Sequence, residues 1–313
     1  MSPTARAPYL QPGPAAGIAF MAVAALLYSG FDALTKWLVA DFSPFQILFF
    51  RALFAFLPWM FWLAREPAPA RVAATPRPGL QVLRGILGFA AVTCFALAFR
   101  VLPLAAAVAI AYSAPLYTTA LARPLLGERV GATRWTVVLF GFAGVLLITR
   151  PGAGTAQAGA AWAVAGSFLY ALTGLASRRL GESDRAPTTM LYSMTVYAVL
   201  GGALLPFVWQ QPEPAQWIGF VAIGVVGGLA QFFLFQAYRH APASTVAPFE
   251  YTILAWSLVW GLLVWQELPD AAAVSGMLVI ATAGLALARR EHRNHRTAAR
   301  AGAAGHPAGA RPR

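Results

Sequence analysis

Four ionisable side chains stand inside long apolar runs of this chain: Asp32, Arg51, Arg84 and Glu250. Glu250, in the stretch VAPFEYTIL, is the only charge between Ser244 and Trp265. A charge at the centre of a bilayer costs at least about 2.5 to 3.5 kcal/mol, so such a residue is expected to be paired, satisfied locally by a carbonyl or water, or used on a solute. The surrounding chemistry is that of binding rather than bond breaking. Phe249, Tyr251 and Trp256 flank Glu250, and Tyr112 and Gln231 stand in neighbouring apolar runs; aromatic faces beside a carboxylate suit a flat ring or a cationic group. All four histidines (His240, His292, His295, His306) lie at a helix end or in the tail, so no Ser/His/Asp or Asp/His cluster forms within the runs. No metal-ligand spacing and no phosphate loop appears, and no cofactor is expected. With Cys94 the single cysteine, an intrachain disulfide is excluded.

The elements that must position these groups are membrane spans. Of 313 residues, 59% are hydrophobic and 11% charged, against about 25% charged in an ordinary soluble domain. A helix crossing the hydrocarbon needs roughly 20 apolar residues. Ten such segments follow one another at 16–38, 44–64, 80–99, 104–123, 131–149, 157–177, 187–208, 215–237, 243–264 and 270–288. The net charge of +12 is spread through the breaks between segments rather than gathered on a soluble domain, which argues against nucleic acid as the partner. With the N-terminus placed inside, the inner loops and tails hold 18 of the Lys and Arg residues and the outer side holds 3. That asymmetry predicts a multi-pass protein of the inner membrane with both termini cytoplasmic. Residues 1–15 form a short tail. Residues 289–313 are basic, lack apolar periodicity and are expected to be disordered near anionic lipid. Trp37, Trp59, Trp62, Trp135, Trp209, Trp217 and Trp265 fall near span ends and are read as an interfacial belt.

The chain contains itself twice. AFRVLP at 98–103 returns as AYRHAP at 237–242, an offset of 139 that also matches Gly85 with Gly224, Gly88 with Gly227, Tyr112 with Tyr251 and Glu128 with Glu267. At offset 142, Gly17, Tyr28 and Lys36 match Gly159, Tyr170 and Arg178. The copies cover 16–149 and 157–288 with five spans each. Five is odd, so the second copy is inverted in the bilayer, an arrangement used by secondary transporters around a midplane site. The predicted fold is therefore all-α and membrane-integral, with ten helices in two inverted five-helix repeats.

The runs FQILFFRALFAF (45–56), LRGILGFAAVTCFALAFRVLPLAAAVAIAYSAPLY (83–117) and GGLAQFFLFQAYRHAPASTVAPFEYT (227–252), with the helix ends LLGE (125–128) and VWQE (264–267), resemble the EamA-type branch of the drug/metabolite transporter superfamily. The likeness spans nearly all of 16–288. It implies a ten-helix inner-membrane carrier of small organic solutes, in a family that moves amino acids, nucleotide-like metabolites, flavins and S-adenosylmethionine. The stretch APFEYT is most similar to riboflavin and S-adenosylmethionine uptake carriers, although related carriers usually show an uncharged or basic residue at the position of Glu250. Export and import both remain open, and so does a homodimer.

Features found in both copies serve the shared architecture: Arg100 with Arg239, Pro103 with Pro242, Glu128 with Glu267. The four embedded charges have no charged counterpart; Asp32, Arg51, Arg84 and Glu250 correspond to Gly174, Met194, Ile223 and Ala111. At about 1.5 Å per residue, Glu250 and Arg84 lie roughly 12 and 8 Å from the same inner surface, and Asp32 and Arg51 both lie towards the outer one. Two pairings are therefore expected, Arg84 with Glu250 and Arg51 with Asp32. The candidate site comprises Glu250, Tyr251, Phe249, Trp256, Tyr112, Arg84, Arg51, Asp32 and Gln231, in a carrier whose two halves rock about it.

Overall fold

The computed structural model describes residues 14–64, 72–126, 132–149, 156–181 and 183–286. These residues are helical apart from short connections: α1 (Pro14–Asp41), α2 (Pro44–Leu63), α3 (Pro78–Phe99), α4 (Leu104–Ala111), α5 (Ala114–Leu126), α6 (Ala132–Thr149), α7 (Ala156–Leu180), α8 (Ala186–Val208), α9 (Pro214–His240), α10 (Ala243–Glu250), α11 (Thr252–Trp265) and α12 (Ala271–Ala286). Eight stretches are long and apolar enough to cross a membrane, and Trp135–Thr149 and Ala271–Ala286 are shorter apolar helices. The tail 289–313, the tail before residue 14, and Glu128 lie outside the described residues.

Ten spans emerge, but two of them are broken. The fourth is divided into α4 and α5 at Tyr112 and Ser113, and the ninth into α10 and α11 at Tyr251. Pro115 stands in the first turn of α5, where its missing N–H is harmless and its fixed φ favours a new helix start. Pro248 weakens α10 from within. Because Tyr112 and Tyr251 are repeat mates, both breaks fall at the same place in the two copies.

Packing does not follow the two chain halves. α1 lies along α9 and touches α10 and α11, whereas its repeat mate α7 lies along α3 and touches α4 and α5. Each copy thus lends its first helix to the other, giving two swapped bundles. α2 rests on α9 and α8 on α3, while α2 and α8 meet each other between the bundles. The packed units are thus these bundles rather than the two chain halves. Glycines set the approach: a Cβ at Gly85 would meet Val196 of α8 at 2.9 Å, and one at its mate Gly224 would overlap Phe54 of α2. α6 and α12 cross so closely that a Cβ on Gly144 would meet the Gly276 carbonyl at 2.9 Å, a small-residue contact suited to a bilayer.

The core lies where the bundles meet. It is built from Leu38, Val39, Ile47, Phe50, Leu104, Ile110, Phe220 and Ile223 among others, and α4 is apolar and buried on every side. Large apolar side chains such as Leu57, Phe61, Phe207, Leu263 and Leu278 point outward, as expected of a lipid-facing surface. Trp37, Trp135 and Trp209 are about 40% exposed at span ends. Trp59 departs from the predicted belt: it is buried and donates its Nε1–H to the Pro187 carbonyl, because Ala55, Met194 and Val72 close an apolar cluster around it.

Candidate functional site

The two helix breaks meet at the centre of the molecule. The rings of Tyr112 and Tyr251 touch edge to face, with centroids 5.6 Å apart, the geometry favoured by the aromatic quadrupole. Gly284 of α12 makes room for the Tyr251 hydroxyl, which a Cβ there would overlap. Glu250 is the last residue of α10, one position before the break. It accepts one long hydrogen bond, 3.4 Å, from the Tyr238 hydroxyl.

Tyr28 of α1 donates to Gln231 of α9 at 2.7 Å. Tyr170 of α7 is 54% exposed, yet its hydroxyl feels the charges of Glu250, Arg84 and Arg51 and the Tyr197 hydroxyl, from four other helices. A side chain so open and so surrounded borders a cleft between those helices. Glu250, Asp32 and Arg51 act on Tyr28 in the same way, and Glu250 and Asp32 on Tyr112. All of these residues are partly exposed. The cleft therefore runs between the swapped bundles and is lined by tyrosine hydroxyls, with arginines on the α2/α3 side and Glu250 on the α10 side.

Neither expected ion pair forms as a direct contact among the described residues. Arg84 donates from Nε to Ser177 Oγ and from Nη1 to Ser193 Oγ, so α7 and α8 hold it away from Glu250. Arg51 is the charge that acts on Asp32, but its guanidinium lies over the Phe31 ring at 4.5 Å and near Tyr197 at 5.6 Å, a cation–π arrangement. Its Nη1 is buried without an acceptor. Depth along a span had placed these groups at similar heights; rotation about the helix axis, which height does not report, turned them to other partners.

Two predicted residues fall elsewhere. Trp256 belongs to the outward stripe of α11 with Val259, Leu262 and Leu263, opposite the buried Ile253, Leu254, Ser257 and Gly261. Six residues along a helix turn through about 240°, so Glu250 and Trp256 do not share a face. Phe249 packs on the apolar cluster of Met21, Ala237, Ala241 and Val246. Conversely, Tyr197, Tyr238, Ser177 and Ser193 join the site without having been anticipated. Ser193 and Tyr197 are four residues apart on one face of α8, a polar stripe that was readable; Tyr238 meets Glu250 only because the chain folds back at Pro242.

One face of the cleft is latched across the bundles. Lys36 of α1 pairs with Glu267 and donates to the Leu102 carbonyl, while Glu267 accepts from the Leu104 N–H at 2.9 Å. Arg100 donates to the carbonyls of Val39 and Phe42, both at 2.8 Å. Glu267 reaches this place because Gln266 ends α11 in the left-handed region, φ 56°, with Glu267 N–H closing on Gly261, a Schellman-type turn. On the opposite face the side-chain bonds around the end of α7 stay within one bundle: Thr75 and Gln81 hold Asp184, Gln81 also reaches Thr189, and Arg77 reaches the Arg179 carbonyl; the Trp59 bond to the Pro187 carbonyl is the crossing between α2 and α8 there.

Ten spans in inverted copies, broken spans meeting at a polar central cleft, and a latch on one face define a membrane carrier of small solutes. The chain belongs to the EamA-like transporter family, whose model matches it twice, at residues 15–150 and 157–289. It is a transporter of small metabolites rather than an enzyme. Among its relatives are an S-adenosylmethionine uptake transporter of Rickettsia felis, 25% identical over 86% of this chain and 91% of that protein, and a riboflavin transporter of Rhizobium johnstonii, 27% identical over 90% and 93%. A pseudopaline exporter of Pseudomonas aeruginosa is 29% identical over 87% and 96%. A solved structure superposes with a TM-score of 0.60 at 21% identity, covering 88% of this chain and 98% of its own, and so shares the fold.

Proposed function

We propose that this protein carries a small organic solute bearing a flat ring or a cationic group across the cytoplasmic membrane by alternating access. The observation that carries the reading is the central cleft itself: Glu250 faces tyrosine hydroxyls and rings in a space that is latched on the Lys36 face. Such a site strips part of a solute's water and replaces it with a carboxylate and aromatic faces. Both termini lie in the cytoplasm, on the charge asymmetry of the loops; the Lys36 face is then external and the cleft is held towards the cytoplasm. The swapped bundles rock about the broken spans to expose the site to each side in turn. Relatives named for uptake and for export are equally compatible with this site, because a carrier runs in the direction of its gradients.

The test is a melting-temperature screen on the purified protein against amino acids, flavins, purine nucleosides and S-adenosylmethionine, since a ligand of the native state raises the transition. A hit is expected among the ring-bearing or cationic compounds, should be taken up by proteoliposomes, and should lose its effect in Glu250→Gln. Stabilisation only by anionic compounds, or by none, would remove the reading.

A further inference from the structure

The latch on the Lys36 face has a counterpart in the repeat on the other face, and its arginines are not bonded among the described residues. The two elbows that carry Arg100 and Arg239 are built from the same backbone bonds: Leu102 N–H to Ala98 and Ala107 N–H to Pro103 in one, Ala241 N–H to Ala237 and Val246 N–H to Pro242 in the other. Each pair is related by the offset of 139. The acceptor ends match as well. Phe42 N–H closes on the Leu38 carbonyl at the end of α1, and Asp184 N–H closes on Leu180 at the end of α7, an offset of 142. By that register the carbonyls of Val39 and Phe42, which Arg100 holds, correspond to those of Gly181 and Asp184.

The arginines themselves behave differently. Arg100 bridges the bundles, whereas Arg239 is exposed and makes no hydrogen bond or ion pair among the described residues; Arg178, the mate of Lys36, is likewise exposed and unpaired. The receiving end of α7 also carries an unmet acceptor. Asp184 Oδ2 is engaged by Thr75 and Gln81, while its Oδ1 is buried with no donor, and the corresponding position at the end of α1 is Phe42, which has no such acid.

We propose that Arg239 is the gating residue of the second face: in the opposite state of the carrier its guanidinium docks on the carbonyl end of α7 at Gly181 and Asp184, as Arg100 docks on α1 here, and the Arg100 and Lys36 bonds release. An inverted repeat makes this exchange natural, since the two states are one structure with the copies interchanged. Arg239 therefore stabilises a conformation in which it is bonded and contributes nothing to this one. The inference rests on the carrier reading, but its test needs no solute.

Nitroxide labels in a Cys94→Ala background report both faces by double electron–electron resonance, with one pair at Ala15 and Ser183 and the other at Val101 and Leu268. All four positions are exposed. Arg100→Gln is expected to create a short Ala15–Ser183 distance together with a long Val101–Leu268 distance. Adding Arg239→Gln should reduce that population about tenfold, the effect of losing one charge-assisted bond, and Arg239→Lys should restore part of it. The Arg239→Gln variant alone should melt at the wild-type temperature, because it loses no bond of the present state. An unchanged population on adding Arg239→Gln, or no short Ala15–Ser183 distance in Arg100→Gln, overturns the proposal. Switching of the distances without solute uptake would instead leave the gate intact and refute transport.

Discussion

Glu250 and Trp256 are six positions apart and chemically suited to the same ligand, yet about 240° of helix rotation between them gives them different surroundings. Glu250 has a single long bond to Tyr238, and Trp256 faces outward. Glu250→Gln is accordingly expected to weaken binding and uptake of the carried solute about tenfold to a hundredfold, the range for a hydrogen bond to a charged group. Trp256→Ala should stay within about twofold in the same uptake assay; equal losses would mean that the ligand lies elsewhere. Residue identity made both candidates visible, because a carboxylate and an indole in an apolar run are conspicuous in any order. Which of them reaches the cleft depends on rotation about the helix axis, which packing sets.

At the scale of elements, the ends of helices decide more than their middles. Gln266 adopts φ 56° so that Glu267 can turn back to Lys36, whereas the first copy has Gly127 at the equivalent position. A side chain in the left-handed region costs about 1 kcal/mol relative to glycine. Gln266→Gly should therefore raise stability by about that amount, read as a higher melting temperature in detergent; a lower one would show that the glutamine side chain has a role of its own. The Lys36–Glu267 pair has an opposite signature. Lys36→Met leaves a partly buried carboxylate without its cation, so it should destabilise more than the double variant Lys36→Met with Glu267→Gln, in the same melting experiment. Where α6 crosses α12, a Cβ on Gly276 would run into the backbone of Gly144. Backbone cannot yield as a side chain can, and Gly276→Ala is expected to cost about 1 to 3 kcal/mol.

At the scale of the whole molecule, the charge asymmetry makes a topological prediction. Cysteines placed at Val101 and at Ser183 in a Cys94→Ala background should react with a membrane-impermeant maleimide from opposite sides of intact cells, Val101 from outside. Reaction of both from one side would break the ten-span inverted plan. That plan was legible without coordinates: spans follow from the hydrocarbon's intolerance of unbonded backbone, and the repeat follows from one register held by AFRVLP and AYRHAP, Tyr112 and Tyr251. A bilayer imposes length and polarity on each helix separately, so a linear reading recovers them. The swapped bundles were not legible, since nothing in a span's composition says whether α1 packs against its own half or against α9. Nor were the partners of Arg84, the outward turn of Trp256, or the fact that Arg100 and Arg239, alike in sequence context, differ in that only Arg100 is bonded among the described residues. Those outcomes depend on rotation about each helix axis and on which conformation the whole molecule occupies, and both are set by contacts between segments far apart in the chain.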